Sequence, residues 1–75
     1  MDFNKNGQQL IEKTEMPSST HYNQKIWIVK CEDQNGHGCK TIYGVNGCDF
    51  HIRKCPNCQQ GRPGELIDWW AKKTN

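Results

Sequence analysis

The stretch Cys39-Lys-Thr-Ile-Tyr-Gly-Val-Asn46-Gly47-Cys48-Asp-Phe-His-Ile-Arg-Lys-Cys55-Pro-Asn-Cys58 decides how this chain is read. Residues 40–45 are rich in Thr, Ile, Tyr and Val and predict a strand. In residues 48–54, Phe50 and Ile52 alternate with Asp49, His51 and Arg53, which predicts another. Asn46-Gly47 lies between them and is a strong hairpin signal, because both residues tolerate positive φ. Folding about that pair brings Cys39 and Cys55 to the same end of a two-stranded ribbon. Upstream, residues 25–30 (Lys-Ile-Trp-Ile-Val-Lys) predict a first strand that enters at that end and delivers Cys31. Cys31, Cys39, Cys55 and Cys58 are thereby expected to converge. Cys48, beside the turn, would sit roughly 20 Å away at about 3.3 Å per strand residue.

Working outward, residues 1–24 are polar and hold few large apolar side chains, so they predict a leader that is mostly disordered or loosely docked, with at most one nascent helical turn at Leu10–Lys13. Residues 65–75 begin with Glu65-Leu66-Ile67-Asp68-Trp69-Trp70 and predict a short amphipathic C-terminal helix and tail. Leu66, Trp69 and Trp70 share one face of it at i, i+3 and i+4. Acidic Glu65 and Asp68 come early and Lys72 and Lys73 late, which suits the helix dipole. Residues 25–64 form the expected central domain.

The composition explains why such a chain needs a staple. Leu, Ile, Val and Phe are only 12 of 75 residues, and the net charge is +2. A core this thin rarely folds unaided at this size, and metal or disulfides usually supplement it. No apolar run approaches the length of a membrane span. The opening residues show no secretory signal, so the expected compartment is cytoplasmic and reducing. Five cysteines are an odd number, which argues against a closed disulfide framework. Metal binding follows as the expectation. Cys55-Pro-Asn-Cys58 has the spacing that turns two thiolates toward one ion, and Pro56 pre-sets the turn. His37, in the Cys31–Cys39 loop, is the alternate ligand in place of Cys39. Four thiolates favour one Zn2+ over harder ions and leave no open coordination position, so the ion would be structural.

These knuckles on a three-stranded antiparallel sheet resemble the zinc-ribbon superfamily, over residues 25–64. Cys55-Pro-Asn-Cys58 matches that superfamily's second knuckle. The first departs from it, since seven residues separate Cys31 from Cys39 where two to four are usual. The resemblance implies a small metal-stabilised β fold. Rubredoxins hold iron on related knuckles, but with two short pairs each followed by Gly, whereas Gln59 follows Cys58 here.

No phosphate loop, nucleophile elbow or zinc-protease motif is present, and the zinc-deaminase order Pro-Cys-x-x-Cys is not met. The expectation is a non-enzyme without a small-molecule substrate or a membrane. Two partner classes stay open. Lys30, Lys40, Arg53, Lys54 and Arg62, interleaved with Trp27, Tyr43 and Phe50, would suit nucleic acid. A helix carrying adjacent Trp69 and Trp70 would suit a protein partner. A third reading is thiol redox chemistry, through Cys48 or through metal-free Cys55 and Cys58, or iron electron transfer at the cysteine knuckles.

Overall fold

The computed structural model describes residues 2–19 and 23–73, with backbone only for Ala71 and Lys73. Three antiparallel strands form one sheet in the order β1-β2-β3: β1 is Gln9–Pro17, β2 is Lys25–Lys30 and β3 is Ile42–Asn46. A 3-10 helix, Gly47–Ile52, follows β3, and a single-turn helix α1, Asp68–Lys73, ends the described chain.

Strand β2 is the centre of the sheet because it is β-branched or aromatic through its middle and can be buried on both faces. Its register with β3 sets Val29 opposite Tyr43 and Trp27 opposite Val45 on one face. Phe50 of the 3-10 helix packs there with Val29, Tyr43 and Val45, and Leu10 and Trp27 flank the cluster. The Trp27 and Phe50 rings are 6.0 Å apart and tilted. The other face carries Ile26 and Ile28, both buried, with Gly44 opposite Ile28. Glu65 N–H donates to Gly44 O at 2.8 Å, so the C-terminal segment runs beside β3 before crossing that face. It ends over β1, where Trp70 Nε1 donates to Glu12 Oε1 at 3.1 Å. The Glu65 carboxylate accepts from Ser18 Oγ and Ser19 N–H, both at 2.8 Å. A two-sided core is thus built from few aliphatic residues.

The sheet is three-stranded and antiparallel as expected, but its membership differs. The segment expected to be a disordered leader supplies β1. Its register with β2 shifts between Leu10 and Glu12 and again between Lys13 and Pro17, so no simple apolar–polar alternation marks it. Pairing with β2 holds it, together with Thr14 Oγ1, which is buried and donates to Ile26 O at 2.6 Å. Conversely, residues 48–54 are not a strand, and Asn46-Gly47 is not a hairpin turn. Asn46 is extended, at φ −72 and ψ 137. Gly47 is needed for space: a Cβ there would lie 2.7 Å from the Trp27 indole. The 3-10 turn then separates Phe50, which is buried, from Ile52, which is 45% exposed. In a strand the two would have shared one face.

The C-terminal helix starts later than expected. Leu66 precedes it and is 83% exposed, while Ile67 reaches Gly44. The i, i+3, i+4 rule holds only inside a helix, and Leu66 lies outside it. Among the described residues no helix is long and apolar enough to cross a membrane.

A Cβ at Gly44 would lie 2.6 Å from Ile67 Cγ2. Gly44→Val should therefore push the C-terminal segment off the sheet, at an overpacking cost of about 1–3 kcal/mol. The expected reading is a lower melting temperature with a red shift in tryptophan emission; an unchanged melting temperature would show that this crossing is not tightly packed.

Candidate metal centre

Three parts of the fold meet at one end of the sheet. Cys31 leaves the end of β2, Cys39 precedes β3, and Cys55 and Cys58 follow the 3-10 helix. Their four Sγ atoms lie within 4.8 Å of one another. Cys39 and Cys55 are 3.5 Å apart, and Cys31 and Cys58 are 3.6 Å apart. A disulfide needs about 2.05 Å, so no pair is bonded, and all five cysteines are free. A tetrahedral ion with metal–sulfur bonds of about 2.3 Å sets sulfurs roughly 3.8 Å apart. The four cysteines are positioned to bind one metal ion.

The long first knuckle closes because its loop folds on itself. Asp33 Oδ1 accepts N–H bonds from Asn35 at 2.8 Å and His37 at 2.9 Å, and Asp33 N–H donates to His37 O at 2.8 Å. Cys31 N–H bonds Thr41 O, and Lys40 N–H bonds Cys31 O, both at 2.9 Å, so the ends of the loop are backbone-paired. Gly38 sits at φ +145, and a Cβ there would fall 2.1 Å from Cys31 O. The seven intervening residues therefore do not separate the two cysteines. His37 points outward, with its side chain 82% exposed and Nδ1 3.9 Å from Asp33 Oδ2. It is outside the sulfur cluster, which contains Cys39 instead.

The second knuckle is held by its own backbone. Asn57 N–H and Cys58 N–H point at Cys55 Sγ, at 3.3 and 3.4 Å. Gln59 N–H and Gly61 N–H bond Cys55 O at 3.1 and 2.9 Å. Gln59 Oε1 accepts from Cys55 N–H at 2.8 Å. Asn57 Nδ2 reaches across to Cys39 Sγ at 3.5 Å, and Gln8 Nε2 reaches Cys31 Sγ at 3.5 Å. Cys31 and Cys55 are buried, whereas Cys39 and Cys58 are exposed, so the centre is half inside the domain.

The crowding has an electrostatic cost. Thr41, then Asn57, pull the Cys39 thiol down to about 5. The neighbouring Cys31 sulfur, ahead of burial, pushes Cys58 up to about 12. Burial, above all else, raises Cys55. At Cys58, then, a neighbouring sulfur makes a further thiolate unfavourable. A bound cation would offset the penalty at Cys55 and Cys58.

The remaining candidate residues are placed as follows. Cys48 is exposed, has its Sγ 3.8 Å from Asp49 Oδ1, and is outside the sulfur cluster. Lys30 and Lys40 both pair with Glu32, at 3.3 and 2.6 Å, and Lys40 Nζ also bonds Gly36 O. Arg53 is turned inward and buried: Nη2 donates to Arg62 O at 2.7 Å and Pro63 O at 3.3 Å, bracing the return of the chain. Arg62 is 3.6 Å from Asp49. Lys54 is exposed beside the second knuckle. Tyr43 and Phe50 belong to the buried core, and the half-buried Trp27 packs against it with Lys13 Nζ 4.7 Å over its ring. Trp69 and Trp70 are half-buried, and each indole N–H is bonded, Trp69 to Leu66 O at 3.0 Å.

Sequence reasoning missed Gln8, Asn57 and Gln59 around the sulfurs. Gln59, next to Cys58, was within reach of a knuckle argument. Gln8 carries no local signal, because its partner Cys31 is 23 positions away. Comparison with protein-family models, curated proteins and solved structures gave no match.

Cys48→Ser should bind a metal ion as the unsubstituted chain does, whereas Cys55→Ser should weaken binding by at least 100-fold. Titration with Co2+, followed by its thiolate charge-transfer absorption, separates the two. Equal loss in both variants would refute the assignment of four sulfurs.

Proposed function

We propose that this chain is a zinc-binding module of the zinc-ribbon kind, in which one structural Zn2+ is held by Cys31, Cys39, Cys55 and Cys58. The single observation that carries this reading is the convergence of four free thiols on one point. All-sulfur tetrahedral donors select Zn2+ or iron over Mg2+ and Ca2+. Zinc is favoured here because the site is built on one long and one short knuckle, with Gln59 after Cys58. With all four positions taken by protein, the ion does not activate water, and the module acts by binding and not by catalysis. Metal analysis of the reduced chain should give one zinc per molecule, and binding should contribute on the order of 10 kcal/mol to folding. Iron in place of zinc would favour electron transfer, and no metal at all would overturn the proposal.

A second reading, nucleic-acid binding, is favoured by one feature. Lys54 and Arg62, with Gln60 and Gly61, line a shallow groove beside the second knuckle, and Ile52 forms its apolar wall. Lys30 and Lys40 pair with Glu32 and Arg53 is buried, so phosphate contacts fall mainly to Lys54, and to Arg62 in exchange for its 3.6 Å pairing with Asp49. Each phosphate contact contributes about −0.7 to the slope of log affinity against log salt for single strands. Lys54→Gln with Arg62→Gln should flatten that slope by roughly 1.4 for a single-stranded oligonucleotide. Absence of binding at low salt would exclude nucleic acid. It would turn attention to the protein-binding alternative at Trp69, Trp70 and the exposed Leu66.

A further inference from the structure

Gln8 is fully buried, one of the largest such side chains among the described residues, although it is polar. A buried amide is retained only where its donors and acceptor are matched. Its Oε1 accepts from Tyr43 Oη at 2.6 Å. Its Nε2 faces three acceptors: Asn6 O at 3.1 Å, Gln59 Oε1 at 3.3 Å and Cys31 Sγ at 3.5 Å. Gln59 Oε1 in turn accepts from Cys55 N–H at 2.8 Å. One side chain therefore touches a sulfur of the first knuckle and, through Gln59, the backbone of the second.

The residues before it are fastened to the approach of the second knuckle. Asn4 Nδ2 donates to Phe50 O at 2.7 Å and Arg53 O at 2.9 Å. Asn6 Nδ2 donates to Ile52 O at 3.2 Å and Arg53 O at 3.1 Å. Asn4 Oδ1 accepts N–H bonds from Asn6 and Gln8, which folds the strap into a tight turn. Gly7, at φ +74, permits that turn.

We infer that Gln8 is a positioning residue for the metal centre, and that it couples metal occupancy to the docking of residues 2–8. The inference rests on the metal-binding reading above. Gln8 keeps Cys31 Sγ and Gln59 Oε1 as simultaneous partners only while the two knuckles are held together, which is what a shared ion does. The coupling is reciprocal by linkage: whatever factor the docked strap adds to metal affinity, the metal adds to docking. Partners that orient metal ligands from outside the ligand shell typically change affinity 10- to 100-fold when removed.

The test uses the full chain, zinc as the probe, a competing chromophoric chelator for affinity, and amide hydrogen exchange. Gln8→Leu keeps the size of the side chain and removes its hydrogen bonds. Its zinc affinity should fall 10- to 100-fold. In the zinc-loaded variant the amides of Gly7, Gln8 and Leu10 should exchange faster by a similar factor, while β2 and β3 amides stay protected. A merely structural packing role would instead loosen β2 and β3 as well. Removing zinc from the unsubstituted chain should deprotect these strap amides together with those of the sheet. If Gln8→Leu does not fold, Tyr43→Phe removes only the Oη bond and should shift affinity in the same direction by a smaller factor. Unchanged zinc affinity in both variants overturns the inference, as does strap exchange that is insensitive to zinc. Failure of the unsubstituted chain to take up any metal overturns the metal-binding reading itself.

Discussion

Four sulfur atoms held within 4.8 Å of one another are a constraint that a polar chain of this size does not satisfy at no cost. As thiolates they repel, and as thiols they contribute little cohesion. The site is electrostatically uneven: hydrogen bonding with Thr41 and Asn57 draws Cys39 toward the thiolate, burial drives Cys55 away from it, and the Cys31 sulfur drives Cys58 away. A dication at the centre resolves the conflict, and four thiolates around it sum to a local charge of −2. The backbone N–H groups of Asn57 and Cys58, and the side-chain amides of Gln8 and Asn57, are aimed where that negative charge would sit. The rest of the fold follows from bringing Cys31, Cys39 and the Cys55–Cys58 knuckle to one place.

The sheet alone is a weak frame for that task. Its core on one face is Val29, Tyr43, Val45 and Phe50, and on the other mainly Ile26 and Ile28. Each such side chain contributes about 1.5–3 kcal/mol when fully buried, against an ordering cost of roughly 1–2 kcal/mol for every residue's backbone. The chain adds cover from both ends. Residues 2–8 close over the knuckles, and residues 64–70 cross the opposite face. Both ends are tied down by polar side chains, Asn4, Asn6 and Gln8 at one and Glu65 and Trp70 at the other. That is how a composition poor in aliphatics still encloses its sheet.

Much of the site was legible in the sequence, and less of the fold. Cys55-Pro-Asn-Cys58 is a local motif whose geometry follows from its own backbone, so it reads correctly in isolation. Cys31 was placed correctly because β2 is a strongly patterned strand. Cys39 reached the same point by a different route from the one expected: a self-bonded loop around Asp33, not a hairpin about Asn46-Gly47. That pair is ambiguous because glycine serves two purposes, positive φ or close approach, and the sequence does not say which. At Gly47 it is the approach of Trp27 that matters. Strand β1 was hidden by its register shifts, and Gln8 by the distance along the chain to its partners. Non-local hydrogen bonds to polar side chains leave no periodic trace.

The basic residues carry a similar lesson. Counting charges along the chain grouped Lys30, Lys40, Arg53, Lys54 and Arg62 together. The fold divides them into a pair sharing Glu32, a buried brace, and two that border a groove. On the proposed reading, a shared ion rather than the apolar core holds this arrangement. The most direct measurement is the two-dimensional amide NMR spectrum of the reduced chain after exhaustive chelation and then with zinc added stepwise. Without metal the resonances should be collapsed and poorly dispersed, and one equivalent of zinc should restore full dispersion. A well-dispersed spectrum in the metal-free chain, unchanged on adding zinc, would contradict that reading.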